Sequence, residues 1–224
     1  MKANITIPDN LNEVSISQYQ KYLTVTEGLK GEFLNQRTVE VFCQVPFNRV
    51  ILMSHKDVKS IANDMKDLMN SKVEFQHRFN IEGVEFGFIP DLEEMTSAEF
   101  ADLSKYIGDW QTMHRAMTVM FRPIAEERKD SYRLVEYNGT KEFADLMKFA
   151  PLGIAMGAMV FFYNLANDLL KATQHSILTE AVKEITAEQH SSVKNGDSIK
   201  TSTPSLKEIL DDLVMLSDYQ YMSV

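Results

Sequence analysis

The sequence has almost none of the residues on which covalent and metal chemistry usually depend. Cys43 is the only cysteine among 224 residues, which excludes a disulfide within the chain and a cysteine-based zinc site. No GxSxG elbow and no Walker-type phosphate loop occurs. The histidines are far apart and form no HxH, HExxH or HxxxH pattern (His55, His77, His114, His175 and His190). We therefore expect no enzymatic activity, no catalytic residue, no cofactor and no bound metal.

Positive charge is also scarce. The chain carries 23 lysines and arginines against 32 aspartates and glutamates, a formal net charge of −9. Nucleic-acid binding requires clustered basic residues that neutralise phosphates, and no such run occurs, so we expect no nucleic-acid partner. The first residues lack the apolar stretch of a signal peptide, and a single cysteine fits a reducing cytosol.

Long apolar runs are missing as well. The longest uncharged stretch is 149–167, but only 151–163 is continuously apolar. A membrane-spanning helix needs about 20 predominantly apolar residues, so this stretch predicts a buried core helix and no membrane partner. Pro151 suits the first turn of that helix. Gly153 and Gly157 form a small-xxx-small pair, which predicts the close approach of another helix.

Methionine, in contrast, is abundant. The chain has 13 methionines and one tryptophan. Methionine fills irregular gaps in cores and also suits adaptable contact surfaces, so both interpretations stay open. The apolar fraction of 44% and the charged fraction of 25% are those of a soluble globular protein.

Apolar residues at three- and four-residue spacing predict several short helices. The first covers Ile16 to Val25 and is closed by Gly28 and Gly31, and the second covers Gln36 to Val45 and stops at Pro46. The others begin at helix-capping residues: Ser54, the capping box Thr96-Ser-Ala-Glu99, Asp109, and Thr140. The Asp109 helix is predicted to end near Arg122-Pro123, with Arg115 and Arg122 on one face. The Thr140 helix is predicted to run through Phe149.

A strict alternation of apolar and polar residues predicts β-structure in one region. Val73 to Ile81 and Val84 to Phe88 alternate on either side of Glu82-Gly83, so we predict a β-hairpin over 73–89. Tyr132 to Tyr137 is a short strand candidate. The acidic group Asp91, Glu93 and Glu94 lacks the pattern of a calcium loop, so we interpret it as a solvated loop.

The C-terminal part differs in composition from the rest. Residues 187–205 are dominated by polar residues and predict a flexible linker. Residues 206–217 follow with an apolar stripe opposite charged residues, which predicts a short amphipathic helix on a tether. The apolar face of this helix is its predicted docking face and consists of Leu206, Ile209, Leu210 and Leu213. It would dock on the helix's own domain or bind a partner protein. The predicted fold class is mainly α: a helical domain over 1–186 with a small β-hairpin, and a flexible C-terminal extension.

The order of these segments resembles the tail assembly chaperone-like proteins of long-tailed bacteriophages. The resemblance covers about residues 5–172 and rests on a series of segments rather than on one diagnostic motif. The series comprises Ile5-Thr-Ile-Pro8, Ile16-Ser-Gln-Tyr-Gln20, Gly83-Val-Glu-Phe-Gly-Phe-Ile-Pro-Asp91, Met95-Thr-Ser-Ala-Glu-Phe100, Met113-His-Arg-Ala-Met-Thr-Val-Met-Phe-Arg-Pro-Ile124, Tyr132, Tyr137 and the apolar stretch 150–163.

This resemblance implies a mostly helical, non-enzymatic protein in the host cytoplasm. Such proteins bind the long tape measure protein, keep it soluble and help recruit tail tube subunits. The resemblance implies no catalytic residue. The alternative is a structural virion component, such as a head–tail connector or a tail or baseplate subunit. Self-association is left open by the sequence.

Overall fold

Short helices make up residues 11–69 of the chain. The computed structural model describes residues 5–90, 92, 95–129 and 131–165. The chain divides into two compact units, Met1–Met159 and Val160–Val224. The first unit begins with a 3-10 helix, Leu11–Glu13. Four α-helices follow: α1 (Ile16–Thr26), α2 (Gly31–Phe42), α3 (Phe47–Val50) and α4 (His55–Met69).

Side-chain caps set the starts of two of these helices. Ser15 forms a capping box with Gln18 at α1, and Ser54 accepts a hydrogen bond from the Asp57 amide at α4, as predicted. Gly28 follows α1 with φ +71°, the left-handed conformation that ends a helix. The predicted role of Gly31 was wrong, because α2 begins there rather than at Gln36, and it ends at Phe42 rather than Val45.

The β-structure is larger than the predicted hairpin. Strands β1 (Arg78–Ile81), β2 (Val84–Phe88), β3 (Phe121–Arg128) and β4 (Ser131–Leu134) form one antiparallel sheet in that order. The turn at Gly83 has φ +86° and is confirmed. Residues 73–77 are not in a strand: the first contact of the ladder is the Phe88 amide donating to the His77 carbonyl.

The second half of the unit adds helices against this sheet. They are α5 (Ser97–Tyr106), α6 (Met113–Met120), α7 (Ala144–Met147) and a helix that starts at 152, here α8. The Thr96–Glu99 capping box at α5 is confirmed. In contrast, the Asp109 carboxylate accepts from the Gln111 amide and caps a turn rather than α6. Thr140 makes no cap for α7, whose N-cap is Phe143 without a side-chain hydrogen bond.

The helix predicted to reach Arg122 ends earlier. The α6 helix stops at Met120, and Phe121 is extended and enters β3 directly. The prediction that Arg115 and Arg122 share a helix face was therefore wrong, because Arg122 lies on a strand. Pairing of β3 with β2, in the register Gly87 to Arg122, supplies the hydrogen bonds that a continued helix would have made internally.

Two buried clusters fill the unit. One lies among α1, α2, α4 and the start of α8, and includes Tyr22, Val39, Phe42, Met65 and Leu152. The other lies under the sheet, where Phe121 meets Phe79 edge-to-face at 5.0 Å and Phe88 at 5.2 Å. Five methionines, Met65, Met113, Met117, Met120 and Met147, are under 2% exposed. Methionine therefore serves the core at these positions.

The α8 helix confirms a buried apolar segment over 152–158, but the predicted burial does not extend to Tyr163, which is 49% exposed. Leu152, Ile154, Ala155 and Ala158 are at most 1% exposed. A Cβ at Gly153 would strike the Asn12 side chain, and a Cβ at Gly157 would lie 2.8 Å from the Glu74 carbonyl oxygen. The predicted close approach is real, but the neighbours are the 3-10 helix and an extended segment rather than an α-helix.

The C-terminal predictions fall mostly on residues that the structure does not describe. In the second unit, residues 160–165 are helical, and the rings of Phe161 and Phe162 meet edge-to-face at 5.5 Å. The predicted boundary at 186, the linker 187–205 and the helix 206–217 lie outside the described residues. The described part of the chain has an α-rich fold with one small antiparallel sheet of four strands.

Candidate functional site

Three large apolar side chains are exposed on α2 and in the turn between α3 and α4. Phe33 is 67% exposed, Ile51 is 52% exposed and Leu52 is 77% exposed. We name these three residues the corner patch. Isolated apolar residues on a surface are ordinary, whereas a group of large ones marks a contact site more often.

Two side-chain contacts hold this corner together. The Glu32 Oε2 and His55 Nδ1 atoms lie 2.7 Å apart and join the start of α2 to the start of α4. The Arg37 guanidinium lies 3.9 Å from the centre of the Phe47 ring and joins α2 to α3. Phe33 follows Glu32 directly, and the Ile51 amide donates to the Phe47 carbonyl. The patch residues are thus neighbours of groups that are themselves in contact.

The local sequence explains why these residues are outside the core. Pro46 and the cap at Ser54 leave room for only one helical turn between α2 and α4. That turn buries Val50, which is 1% exposed, and its geometry points the next two residues away from the core. The two residues that follow Val50, Ile51 and Leu52, are exposed.

Charged residues lie around the patch. Glu32 lies against His55 and Arg37 lies against Glu40, while Arg49 and Lys56 are exposed close to the patch in the sequence. Exposed apolar side chains surrounded by a polar rim are typical of protein-binding surfaces. Removing the three side chains from water would stabilise a complex by about 1.5–3 kcal/mol for each one fully buried.

A cluster of polar side chains lies where α5 meets the sheet. The Arg122 Nη2 atom lies 3.0 Å from Glu99 Oε1, and both side chains are largely buried. Glu99 Oε2 accepts from the Thr96 amide at 2.8 Å and from its hydroxyl at 2.7 Å. The Tyr137 hydroxyl donates to Asp102 Oδ2 at 2.6 Å, and burial together with that carboxylate raises the pKa of Tyr137. Within the described residues the Arg122 Nε–H has no acceptor, but the contact between Arg122 Nη2 and Glu99 joins α5 to β3.

Cys43 is shielded by burial, and His114 is held in a hydrogen bond. Burial raises the pKa of the Cys43 thiol to about 11, so this thiol is protonated at neutral pH and is a poor nucleophile. His114 Nδ1 lies 3.0 Å from Gln20 Nε2, and that amide also donates to the Trp110 carbonyl at 2.7 Å. Burial, assisted by Lys148 and Arg115, lowers the pKa of His114. A neutral His114 accepts a hydrogen bond from the Gln20 amide at Nδ1, and this contact joins α1 to α6.

The predicted docking face cannot be compared with this geometry. Leu206, Ile209, Leu210 and Leu213 lie outside the described residues, as do Asp91, Glu93 and Glu94. The corner patch was not predicted. Its only sequence signal is Ile51-Leu52-Met53, three apolar residues between a proline and a helix cap.

Over the described ranges, no three histidine, cysteine, aspartate or glutamate side chains are grouped as metal ligands. In the same part of the chain, no helix has the length and apolarity to cross a membrane. Comparison of the chain with protein-family models, curated proteins and solved structures found no match.

Proposed function

We propose that this protein is a non-enzymatic assembly factor of the phage tail chaperone type. In this proposal it binds the tape measure protein in the host cytoplasm, keeps it soluble and helps the tail tube subunits assemble. The resemblance of the segment series supplies the identity of the client. The observation that carries a protein-binding role is the exposed corner patch on a helical layer.

The chemistry of the patch suits a helical client. A long coiled-coil-rich protein exposes apolar residues at positions i, i+3, i+4 and i+7 before it assembles, and such a stripe aggregates in water. Phe33, Ile51 and Leu52 offer it an apolar surface. The charged residues around them would form the polar rim of the contact.

The direct test is co-expression with the longest coiled-coil-rich protein encoded beside this one. We expect the long protein to be soluble only when this chain is present, and to co-purify with it. Purified phage particles examined by mass spectrometry should contain little of the protein. Stoichiometric amounts in the particles would instead favour the alternative of a structural virion component.

A pair of variants tests the corner patch itself. Replacing Phe33 and Leu52 with serine removes exposed apolar area without opening a core cavity, so folding should be kept. Phe100→Ser is the matched control, because Phe100 is 65% exposed and lies on α5. We expect loss of client solubility with the patch variant and normal client solubility with the control. Equal behaviour of the two variants would remove the patch from the proposal.

A further inference from the structure

A small hydrogen-bond network joins α1 to α6 and to the turn before α6. Gln20 Nε2 donates to the Trp110 carbonyl oxygen at 2.7 Å and to the Gln111 carbonyl oxygen at 3.2 Å. The third neighbour of this nitrogen is His114 Nδ1, at 3.0 Å. The rings of Tyr19 and Trp110, from the same two segments, meet edge-to-face at 4.8 Å. The His114 side chain is buried, so water has little access to its ring.

Two carbonyl groups fix the orientation of the Gln20 amide. If the amide were turned end for end, Oε1 would take the place of Nε2 and face the carbonyl oxygens of Trp110 and Gln111. Three acceptors would then meet without a donor between them. Nε2 therefore points its N–H groups at this site, and the ring nitrogen of His114 that it contacts must be an acceptor. The contact requires a neutral His114.

Protonation of His114 removes that acceptor. An imidazolium donates at both ring nitrogens, so Nδ1–H would face the donor Nε2 of Gln20. The charged groups that act on His114 are Lys148 and Asp145 on α7 and Arg115 on α6; among the described residues, α1, α5 and β3 supply none. Burial, followed by the two cations, lowers the pKa of His114 despite the opposing carboxylate. A proton on the buried ring is therefore poorly compensated.

The beginning of α1 has a separate attachment. The Ile16 amide donates to the Ala150 carbonyl oxygen at 3.0 Å. The Ser17 amide donates to the Lys148 carbonyl oxygen at 2.9 Å. Main-chain amide and carbonyl groups do not titrate near neutral pH, so these bonds persist when His114 binds a proton. Loss of the contact at His114 would free one part of α1 and leave its first turn attached.

We propose that protonation of His114 opens the contact between α1 and α6 while the rest of the first unit stays folded. Opening brings the ring into water, where it binds a proton more readily, so acid favours the open form. It also exposes Tyr19 and Trp110. The midpoint of opening should lie below about pH 6.5, the ordinary histidine value. This pH-sensitive contact goes beyond the proposed function and does not depend on it.

The whole protein carries its own reporter of this contact, because Trp110 is the only tryptophan in the chain. Lowering the pH from about 7.5 to about 5 covers the titration of histidine. Over this range the tryptophan emission should move to longer wavelength while the far-UV circular dichroism is retained, as expected for local opening. An unchanged emission, or a shift that accompanies loss of the helical signal, would overturn the proposal.

Substitutions assign the change to one histidine. His114→Asn keeps an amide oxygen near the position of Nδ1 and cannot bind a proton, so its emission should stay constant over the same range. His55→Gln is the matched control, because His55 is an exposed histidine on α4, and this variant should keep the shift. Persistence of the shift in His114→Asn, or its loss in His55→Gln, would contradict the proposal.

Hydrogen exchange of the unmodified protein gives a measurement that does not depend on the folding of any variant. After correction for the intrinsic effect of pH, protection at about pH 5 should fall over 20–26 and 110–112 and stay unchanged over 16–18. Equal loss of protection in all three ranges would mean general unfolding. Unchanged protection in the first two ranges would mean that the contact stays closed. Either result would overturn the proposal.

Discussion

The tight contact at Gly157 allows the most discriminating test of the packing. A Cβ at this position would lie 2.8 Å from the Glu74 carbonyl oxygen and 3.3 Å from the Phe75 Cα. Both atoms belong to the main chain, so no side-chain rotation relieves the contact. The extended segment 73–75 would have to move away from α8 as a whole.

Two opposing effects determine the result of Gly157→Ala. Alanine is favoured over glycine inside a helix by about 1 kcal/mol. Overpacking a core site typically costs about 1–3 kcal/mol, and a contact with main chain belongs in the upper part of that range. We therefore expect a net loss of about 1–2 kcal/mol in the free energy of unfolding.

Thermal and urea denaturation followed by circular dichroism measure this loss. For a chain of this size, about 1 kcal/mol corresponds to about 2–4 °C, so the Tm should fall by about 2–8 °C. A rise of about 1 kcal/mol in the free energy of unfolding, the whole advantage of alanine over glycine in a helix, would refute the reasoning. It would mean that segment 73–75 does not press on α8.

Second-site substitutions separate main-chain from side-chain contacts. Glu74→Ala should not rescue Gly157→Ala, because the Glu74 side chain is exposed and the contact is made by its carbonyl oxygen. Asn12→Ala should rescue much of any loss in Gly153→Ala, because there the nearest atom is the Asn12 side-chain oxygen. Rescue of the first pair with no rescue of the second would contradict this geometry.

Three further predictions concern polar groups. Glu99→Gln should lower the free energy of unfolding by about 3 kcal/mol in urea titrations, since it leaves the Arg122 guanidinium buried and unpaired; a loss within error would show that water already reaches the pair. Thr96→Ala should cost about 1 kcal/mol in the same assay through loss of the α5 capping box, with the exposed Ser97→Ala as control. The pKa of His114 is lowered in the folded state, so the unfolded chain binds a proton at this residue more readily. The stability contributed by neutral His114 should therefore be complete above about pH 7 and decline as the pH falls below about 6.5. His114→Gln should flatten that part of the curve of unfolding free energy against pH.

Local hydrogen bonding explains which elements were predictable. The cap at Ser54, the capping box at Thr96 and the turn at Gly83 depend on residues two to four positions apart. Their physical cause is contained in the sequence window itself, so spacing alone identifies them. The apolar spacing of 151–163 also indicated burial correctly as far as residue 158.

The elements that were missed depend on distant partners. Phe121–Arg128 contains a proline and several charges, and it is a strand because β2 and β4 pair with its two sides. The segment 73–77 alternates like a strand, but it crosses α8 at Gly157 instead of joining the ladder. No property of either window distinguishes these outcomes, because the deciding hydrogen bonds come from elsewhere in the chain.

The sequence by itself determined the α-rich class, the caps, the hairpin turn and the lack of recognisable catalytic motifs. Each of these follows from residue chemistry or from interactions within one helical turn. Only the tertiary structure decided that Phe33, Ile51 and Leu52 are exposed and that the Glu99–Arg122 ion pair is buried between α5 and β3. Exposure and hydrogen-bond satisfaction are properties of the packed chain, since they depend on which distant residues cover each group.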